Sequence, residues 1–402
     1  MAWMLCIDVH ASFTVQPKGI KMKNMMKNGK FYIVCNTYLP NSAYTNRVLG
    51  FLRGFSELGV DTEAVFLAPD ANRSKSKSAY PHVTFKYMWE RLPFANRLVN
   101  KLAEEYYGWK FARMLKPGDM VYLTNFGNIF FKVLGKKGVK VLHEKTEHPD
   151  IYHFKGFDVE RYKREVIKLD GMFVISSALK RYYLSLGLPE EKIEVLNMTV
   201  DSNRFAGLKK QQTEQYVAYC GTASNNKDGV DELIKAFAIV HQSHPEVKLY
   251  IIGKIPEKDD ASGNLKLIRD LGVEEAVVLT GVVPSEKMPQ MLKNAAILAL
   301  DRPDSLQAQC GFPTKLGEYL LTDNPVVVTK VGDIPLFLKD GQTALLAEER
   351  NPEAFASKLI WALEHPAEAA AIGKEGAKVA LSAFNYLTET RKILNVINKL
   401  QI

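Results

Sequence analysis

Short apolar runs alternate with longer amphipathic segments along most of this chain. The predicted strands of the first half lie at 31–36, 60–67, 120–124, 139–142, 171–175 and 193–196. Those of the second half lie at 216–220, 248–252, 277–280, 296–300 and 326–329. The intervening amphipathic stretches predict helices, among them 48–58, 229–241 and 287–294. This alternation is typical of parallel sheets with helices on both faces.

The alternation restarts after a polar stretch at 211–213, which suits a linker. A chain of 402 residues is also too long for one ordinary core and fits two. We therefore predict two doubly wound, Rossmann-like α/β domains, at 31–205 and 206–384, that face each other across a cleft. Residues 1–30 are predicted to be an N-terminal extension, and our hypothesis for 1–25 is disorder or an upstream misreading of the start.

Composition limits the class of protein and its partners. Hydrophobic residues make up 47% of the chain and charged residues 24%, as in soluble globular proteins. No apolar run approaches the ~20 residues that cross a bilayer. Residues 1–200 hold 30 basic and 19 acidic side chains, whereas 201–402 hold 23 and 26. A basic first half predicts that one domain faces an anionic ligand or surface, and the net charge of +8 alone does not indicate nucleic acid binding.

Neither a metal nor a familiar cofactor motif is indicated. The four cysteines have no paired spacing, which is typical of a reducing compartment. His143 and His148 are five residues apart, which is not a helical zinc spacing, so we expect no metal site. The chain has neither the GxGxxG motif of nicotinamide-binding folds nor a P-loop.

The segment at 310–329 carries the most specific chemistry. A Gly-Phe-Pro turn at 311–313 opens a predicted helix with Lys315 and Glu318 in its first turns. Residues three apart share a helix face, and the start of a helix favours anions. A cation beside a carboxylate suits a ligand that holds both phosphate and a diol, such as a sugar nucleotide. The alternative is a solvated Lys/Glu pair on an exposed helix face.

The loop at 220–229 joins the first strand of the second domain to a helix, and it contains Lys227. A polar loop of this kind can surround an anion with backbone N–H groups, and Lys227 would then be a second phosphate cation. The alternative is a solvated lysine. Arg302, after the run at 296–300, is a further candidate for phosphate, or it pairs with Asp301 or Asp304.

The residues at 311–320, Gly-Phe-Pro-Thr-Lys-Leu-Gly-Glu-Tyr-Leu, resemble the signature of retaining glycosyltransferases of family 4. That family has the glycosyltransferase-B fold, and this version is similar to bacterial enzymes that build surface polysaccharides. The family pattern is Glu, seven residues, then Glu, and its second Glu matches Glu318. The resemblance implies that Glu318 holds the ribose hydroxyls. The first Glu falls on Cys310, so the identity of the donor sugar stays open.

The resemblance, which covers roughly 31–400, assigns expected roles to further residues. The expected donor-binding residues are Gly221, Thr222, Lys227, Gly281, Val283, Cys310, Gly311, Phe312, Pro313, Thr314, Lys315 and Glu318. The expected catalytic residues are Lys227, Lys315, Glu318, Glu144 and His143. The expected acceptor-binding residues are Asn41, Tyr44 and Arg47. The resemblance also implies that the final segment, 385–402, is a helix that packs back on the first domain.

The expected function is transfer of a sugar, with retention, from a nucleotide-diphosphate sugar to a saccharide or lipid-linked acceptor. No cofactor is expected besides this co-substrate, because the lysines replace a metal. Two alternatives stay open: a sugar-nucleotide epimerase of the same fold, and a non-catalytic protein that binds sugar nucleotides or polysaccharide. We expect a cytoplasmic location. The aromatic and basic stretch at 89–116 predicts either peripheral contact with an anionic membrane surface or a core-packing helix pair.

Overall fold

Two parallel sheets organise the chain in a computed structural model, which describes residues 29–35, 42–67, 78–89, 97–124, 127–151, 157–211, 214–254 and 262–400. The strands of the first sheet are β1 Phe31–Cys35, β2 Thr62–Phe66, β3 Val83–Tyr87, β4 Met120–Leu123, β5 Lys140–Lys145, β6 Gly171–Val174 and β7 Ile193–Val195. The strands of the second are β8 Tyr216–Cys220, β9 Lys248–Ile252, β10 Val277–Gly281, β11 Ile297–Leu300, β12 Val326–Thr329 and β13 Leu345–Ala347.

Helices connect these strands and cover both faces of each sheet. In the first half they are α1 Ala43–Glu57, α2 Arg97–Met114, α3 Ile129–Leu134, α4 Val159–Glu165 and α5 Ser177–Ser185. In the second half they are α6 Asn225–Asp228, α7 Val230–Ser243, α8 Asn264–Asp270, α9 Met288–Asn294, α10 Leu306–Cys310, α11 Thr314–Leu320, α12 Ile334–Phe337, α13 Pro352–Glu364, α14 Pro366–Ala383 and α15 Tyr386–Lys399.

The strand orders are β3-β2-β1-β4-β5-β6-β7 and β10-β9-β8-β11-β12-β13, and each neighbouring pair is parallel. Both orders reverse direction at the first strand of the sheet, which defines a doubly wound fold. Strands buried on both faces explain the continuous apolar runs, as in β1, β4 and β12. The predicted fold class is therefore confirmed.

The two faces of the first sheet are covered by different helices. Phe31 of β1 meets Phe55 of α1 with ring centroids 5.2 Å apart, whereas Tyr32 meets Phe111 of α2 at 5.5 Å. The last helix, α15, packs beside α1, and Tyr386 donates a hydrogen bond of 2.8 Å to Glu57. The final helix thus contacts the first domain, while the domain boundaries given above stay predictions.

The backbone passes between the domains at two neighbouring places. Val200, which follows β7, pairs with Asn385 in an isolated parallel bridge. Val200 also donates its backbone N–H to the carbonyl of Phe384, 3.1 Å away. The segments that leave and re-enter the first domain therefore run side by side.

Several elements differ from the sequence predictions. Helix α1 begins at Ala43, because the Ser42 side chain caps the N–H of Thr45, whereas the prediction began at 48. Strands β3 and β13 were not predicted: both lie at sheet edges, β3 is mostly only partly buried, and β13 has three residues. Strand β5 extends through Lys145, although the prediction ended it at 142. His143 and Glu144 are therefore buried strand residues and not part of a solvated loop.

Candidate active site

A cavity of about 690 Å³ lies between the two domains, at the carboxyl edge of the second sheet. The first domain contributes α1, and the second contributes the segments that follow β8 and β10 together with α11. The lining includes Asn46, Leu49, Gly50, Arg53, Cys220, Gly221, Val282, Val283, Pro284, Ser285, Thr314, Lys315 and Glu318. Five predicted donor-binding residues, which are Gly221, Val283, Thr314, Lys315 and Glu318, thus come together in one space.

Lys315 is held firmly on the cavity wall. Helix α11 begins directly after Pro313, so Lys315 projects from its first turn. The Lys315 Nζ lies 2.5 Å from a carboxylate oxygen of Asp228 and 3.1 Å from the Tyr219 hydroxyl. It also lies 4.6 Å from the centre of the Tyr219 ring, in a cation–π contact. Burial lowers the pKa of Lys315, and Asp228 opposes this shift.

Two glycines allow this arrangement by leaving room for their neighbours. A Cβ at Gly221 would lie 2.5 Å from the Lys315 Nζ. Gly229 has a φ of +58°, and a Cβ there would lie 1.8 Å from the carbonyl oxygen of Asp301. These close approaches keep the loop after β8 tight against α11 and the end of β11.

Glu318 lies one turn after Lys315 and has a cationic partner that the sequence analysis did not identify. It forms an ion pair with Arg204, which also donates a hydrogen bond of 3.3 Å to the carbonyl of Ser285. Burial raises the pKa of Glu318, and Arg204 opposes the shift. Arg204 belongs to the segment between the domains, and no local motif marks it.

Lys227 lies in α6, next to Asp228, but it does not line the cavity. Its side chain is 46% exposed, against 17% for Lys315. The Lys227 Nζ lies 3.4 Å from Glu147 of the first domain, so this pair spans the gap between the domains. The two predicted phosphate cations therefore have different carboxylate partners, which are Asp228 for Lys315 and Glu147 for Lys227.

Cys310, Phe312 and Thr222 do not line the cavity and instead contact neighbouring parts of the protein. Cys310 is buried, and its carbonyl accepts a hydrogen bond of 2.5 Å from the Ser176 hydroxyl. Phe312 packs its ring against Phe337 and Phe384, at 5.4 and 5.5 Å. The Thr222 carbonyl accepts from the Tyr219 hydroxyl at 2.8 Å. Cys310 is not among the residues that line the cavity.

Three of the predicted residues of the first domain, Arg47, His143 and Glu144, are buried and do not line the cavity. Arg47 and Glu144 form a buried ion pair of 2.8 Å, and Arg47 also donates to the carbonyls of Leu196 and Asn197. His143 is fully buried between Phe130 and Tyr162, so neither ring nitrogen is accessible to a ligand in this conformation. The Tyr44 hydroxyl contacts that of Thr124 at 2.7 Å.

Three predicted residues remain to be placed. Asn41 lies outside the described residues. Gly281 ends β10, and its carbonyl accepts from the N–H of Gly253 at 3.0 Å. Gly311 lies against the first domain, since a Cβ there would be 3.7 Å from the carbonyl oxygen of Thr146.

Known proteins resemble both the sequence and the architecture. A family model described as Glycosyl transferases group 1 matches residues 214–365. A GDP-mannose-dependent alpha-(1-6)-phosphatidylinositol monomannoside mannosyltransferase from Mycolicibacterium smegmatis is 26% identical over 238 residues, which are 56% of this chain and 61% of that protein. The amylovoran biosynthesis glycosyltransferase AmsK from Erwinia amylovora is 24% identical over 293 residues, which are 70% of each protein. The crystal structure of Anabaena Alr3699/HepE in complex with UDP and glucose has a TM-score of 0.70 at 16% identity, covering 92% of this chain and 100% of that one.

These likenesses agree on the fold and on the second half of the chain. The architecture is the glycosyltransferase-B fold, and residues 214–365, which provide Lys315 and Glu318, match the family model of a glycosyltransferase group 1 domain. The prediction of a glycosyltransferase is thus confirmed at the level of this domain. The aligned segment spans less than two thirds of the mannosyltransferase's own length.

Proposed function

We propose that this chain is a retaining glycosyltransferase of family 4 that moves a sugar from a nucleotide-diphosphate sugar to a saccharide or lipid-linked acceptor. The observation that carries the proposal is the presence of Lys315 and Glu318, one turn apart, in the cavity between the domains. An ammonium group suits diphosphate oxygens, and a carboxylate can accept hydrogen bonds from the two ribose hydroxyls. HepE, which has the same fold, was solved with UDP and glucose.

The product class is proposed to be a surface polysaccharide. AmsK is named for amylovoran biosynthesis, and the mycobacterial relative is named for a phosphatidylinositol mannoside acceptor. The wall that α1 contributes would face the acceptor, through Asn46 and Arg53. The buried Arg47 would then act on the acceptor only through the position of α1.

In the proposed reaction, the bond between the sugar and the diphosphate breaks, and negative charge grows on the leaving diphosphate. Cations that are already in place stabilise such charge without reorganisation, and this effect usually dominates catalysis. Lys315, fixed by Asp228 and Tyr219, is one such cation, and Lys227 would supply a second when the domains close. The chain's own cations, and not a bound cofactor, are proposed to do this. Closure would also exclude water that hydrolyses the donor.

A lipid-linked acceptor would place the enzyme at a membrane, and one exposed face of α2 suits that position. Leu98, Leu102, Tyr106 and Trp109 lie three or four residues apart, on one side of the helix, and are between 46% and 64% exposed. Arg113 lies over the Trp109 ring at 4.6 Å. An apolar stripe beside basic side chains favours the interface of an anionic bilayer. None of the described helices meets the length and apolarity that a membrane span requires.

The membrane contact is tested by sedimentation with vesicles. We expect the protein to sediment with vesicles that contain phosphatidylglycerol, and Leu102→Glu to release it. Vesicles of phosphatidylcholine alone should bind much less, because they lack the negative charge. Equal binding of Leu102→Glu and wild type to the anionic vesicles would contradict this contact.

The proposed activity is tested by measuring release of nucleoside diphosphate from a panel of UDP-, GDP- and dTDP-sugars. We expect release with one donor to depend on a saccharide or lipid-linked acceptor, and the new linkage to keep the donor's anomeric configuration. Conversion of the donor sugar without an acceptor would instead identify an epimerase. Binding without release or conversion would identify a non-catalytic binding protein.

A further inference from the structure

Arg302 is a buried cation directly after β11, and it is not among the residues that line the cavity in this conformation. Its side chain is only 2% exposed, and its own carbonyl accepts a hydrogen bond of 2.8 Å from the Thr329 hydroxyl. Its backbone is therefore fixed at the edge of the sheet where ligands of this fold bind. Arginine remains charged in proteins, so this position carries a permanent positive charge.

The guanidinium of Arg302 has no counter-charge of its own among the described residues. Its Nε is buried and has no hydrogen-bond acceptor, and no described carboxylate forms an ion pair with it. The two candidate partners from the sequence are both unsuitable. Asp301 forms no ion pair with Arg302, and burial raises the pKa of Asp301 to about 8. Asp304 is exposed and accepts a hydrogen bond from Gln309 at 2.5 Å.

The carboxylates whose fields reach Arg302 already have other partners. Burial lowers the pKa of Arg302, and Asp228 and Glu147 are the main charges that oppose the shift. Asp228 is paired with Lys315, and Glu147 is paired with Lys227. Among Lys315, Lys227 and Arg302, Arg302 is therefore the cation without an ion pair to a described residue.

The position of the guanidinium also suits the cleft between the domains. A Cβ at Gly311 would lie 4.0 Å from the Arg302 Nη2 and 3.7 Å from the carbonyl oxygen of Thr146. The Arg302 fork therefore lies where the turn before α11 meets the first domain. Leaving a charge buried and unpaired destabilises a protein, so a compensating anion is expected in the functional state.

We propose that Arg302 binds the diphosphate of the donor through its fork of N–H donors, and that it is the third cation of the site with Lys315 and Lys227. A planar guanidinium binds two oxygens of a phosphate at once, which a lysine cannot do. This proposal rests on the proposed function, because it takes the donor to be a nucleotide-diphosphate sugar. Arg302 thereby contacts the leaving group, while Asp228 and Glu147 position the lysines around it.

The first test compares the affinity of Arg302→Met and of wild type for the nucleoside diphosphate that wild type binds best, by calorimetry. We expect the Kd of Arg302→Met to rise at least about tenfold, since a charged hydrogen bond to phosphate is lost. The Kd for the matching nucleoside should change less than twofold. Arg302→Lys should show an intermediate loss, and Arg269→Met, which removes an exposed guanidinium, should bind like wild type.

The second measurement separates a ligand contact from a structural role. If Arg302 awaits an anion, ligand-free Arg302→Met should melt at or above the temperature of wild type, because an unpaired buried charge has been removed. A lower melting temperature of both the Met and Lys variants, or failure of both to fold, would overturn the proposal, as would diphosphate affinity within twofold of wild type. If wild type bound no nucleoside diphosphate, the proposed function itself would fail first.

Discussion

Two buried arginines, one in each domain, differ in whether their charge has a partner. In the first domain, Arg47 and Glu144 satisfy each other, and the remaining donors of Arg47 reach the carbonyls of Leu196 and Asn197. In the second domain, Asp228 forms an ion pair with Lys315. The charge of Asp228 also acts on Arg302, which forms no ion pair with a described residue. A complete set of partners stabilises a fold, whereas an incomplete set indicates a place where a ligand belongs.

This difference separates two kinds of polar residue that look alike in a sequence. Glu144 and Lys315 both lie near the carboxyl ends of strands or the loops that follow them, and both were predicted to be catalytic. Only Lys315 lines the cavity, because β5 continues past Glu144 and buries it. Both side chains have ion-pair partners, so access to the cavity, and not the residue type, distinguishes the two.

The largest expected effect comes from breaking the Arg47–Glu144 ion pair of the first domain. Arg47→Met leaves Glu144 buried without its cation, and losing one partner of a buried ion pair typically costs about 3–5 kcal/mol of unfolding free energy. Urea unfolding should show this loss. The double variant Arg47→Met with Glu144→Leu should recover much of it, because no charge is then left alone. An unchanged urea midpoint for Arg47→Met would contradict the structural role given to this pair.

The second-largest expected effect is a loss of sugar-transfer rate, and it should differ between the two lysines of the second domain. Lys315→Ala should lower sugar transfer at least tenfold, because this ammonium lies in the cavity. Lys227→Ala should lower it less, because this side chain is 46% exposed and faces Glu147. Steady-state rates of nucleoside diphosphate release measure both, and Lys358→Ala, far along the chain in α13, is the control. A greater loss in Lys227→Ala than in Lys315→Ala would reverse the assignment of the main phosphate cation.

The smallest expected effect concerns Asp301, a buried carboxyl group whose charge is removed by protonation and not balanced by an ion pair. Its folded pKa of about 8 lies far above the usual value of about 4 for an unfolded chain, so the folded state holds a proton that the unfolded state has lost. The stabilisation is complete below the unfolded pKa and is lost as the pH rises through 8, by up to about 1.4 kcal/mol per pH unit.

Asp301→Asn should therefore flatten the fall in melting temperature between pH 6 and pH 8. Asp270→Asn, at an exposed position of α8, should leave the pH profile unchanged. A wild-type profile that is flat over this range would show that Asp301 is charged in the folded protein. In that case the assignment of Asp301 as a protonated carboxyl group would be wrong.

The sequence was informative wherever chemistry follows from local spacing. The positions of Lys315 and Glu318 on one face of α11 follow from a turn and a three-residue interval, and the two sheets follow from apolar runs that are buried on both faces. The partner of Glu144 could not be predicted, because Arg47 lies 97 residues earlier in the chain. The isolation of Arg302 was equally hidden, since it depends on which carboxylates other elements bring near.

The paired crossings near Val200 and Asn385 limit how the two halves can move. Because the two covalent connections run side by side, they form a single hinge. The two halves can rotate about this hinge but cannot separate. Thr199, Val200 and Tyr386 also line the cavity, so the residues at the two crossings form part of its wall. A small change in the angle between the halves at 200 and 385 would therefore alter the cavity at its own wall, without any change in the residues of α11.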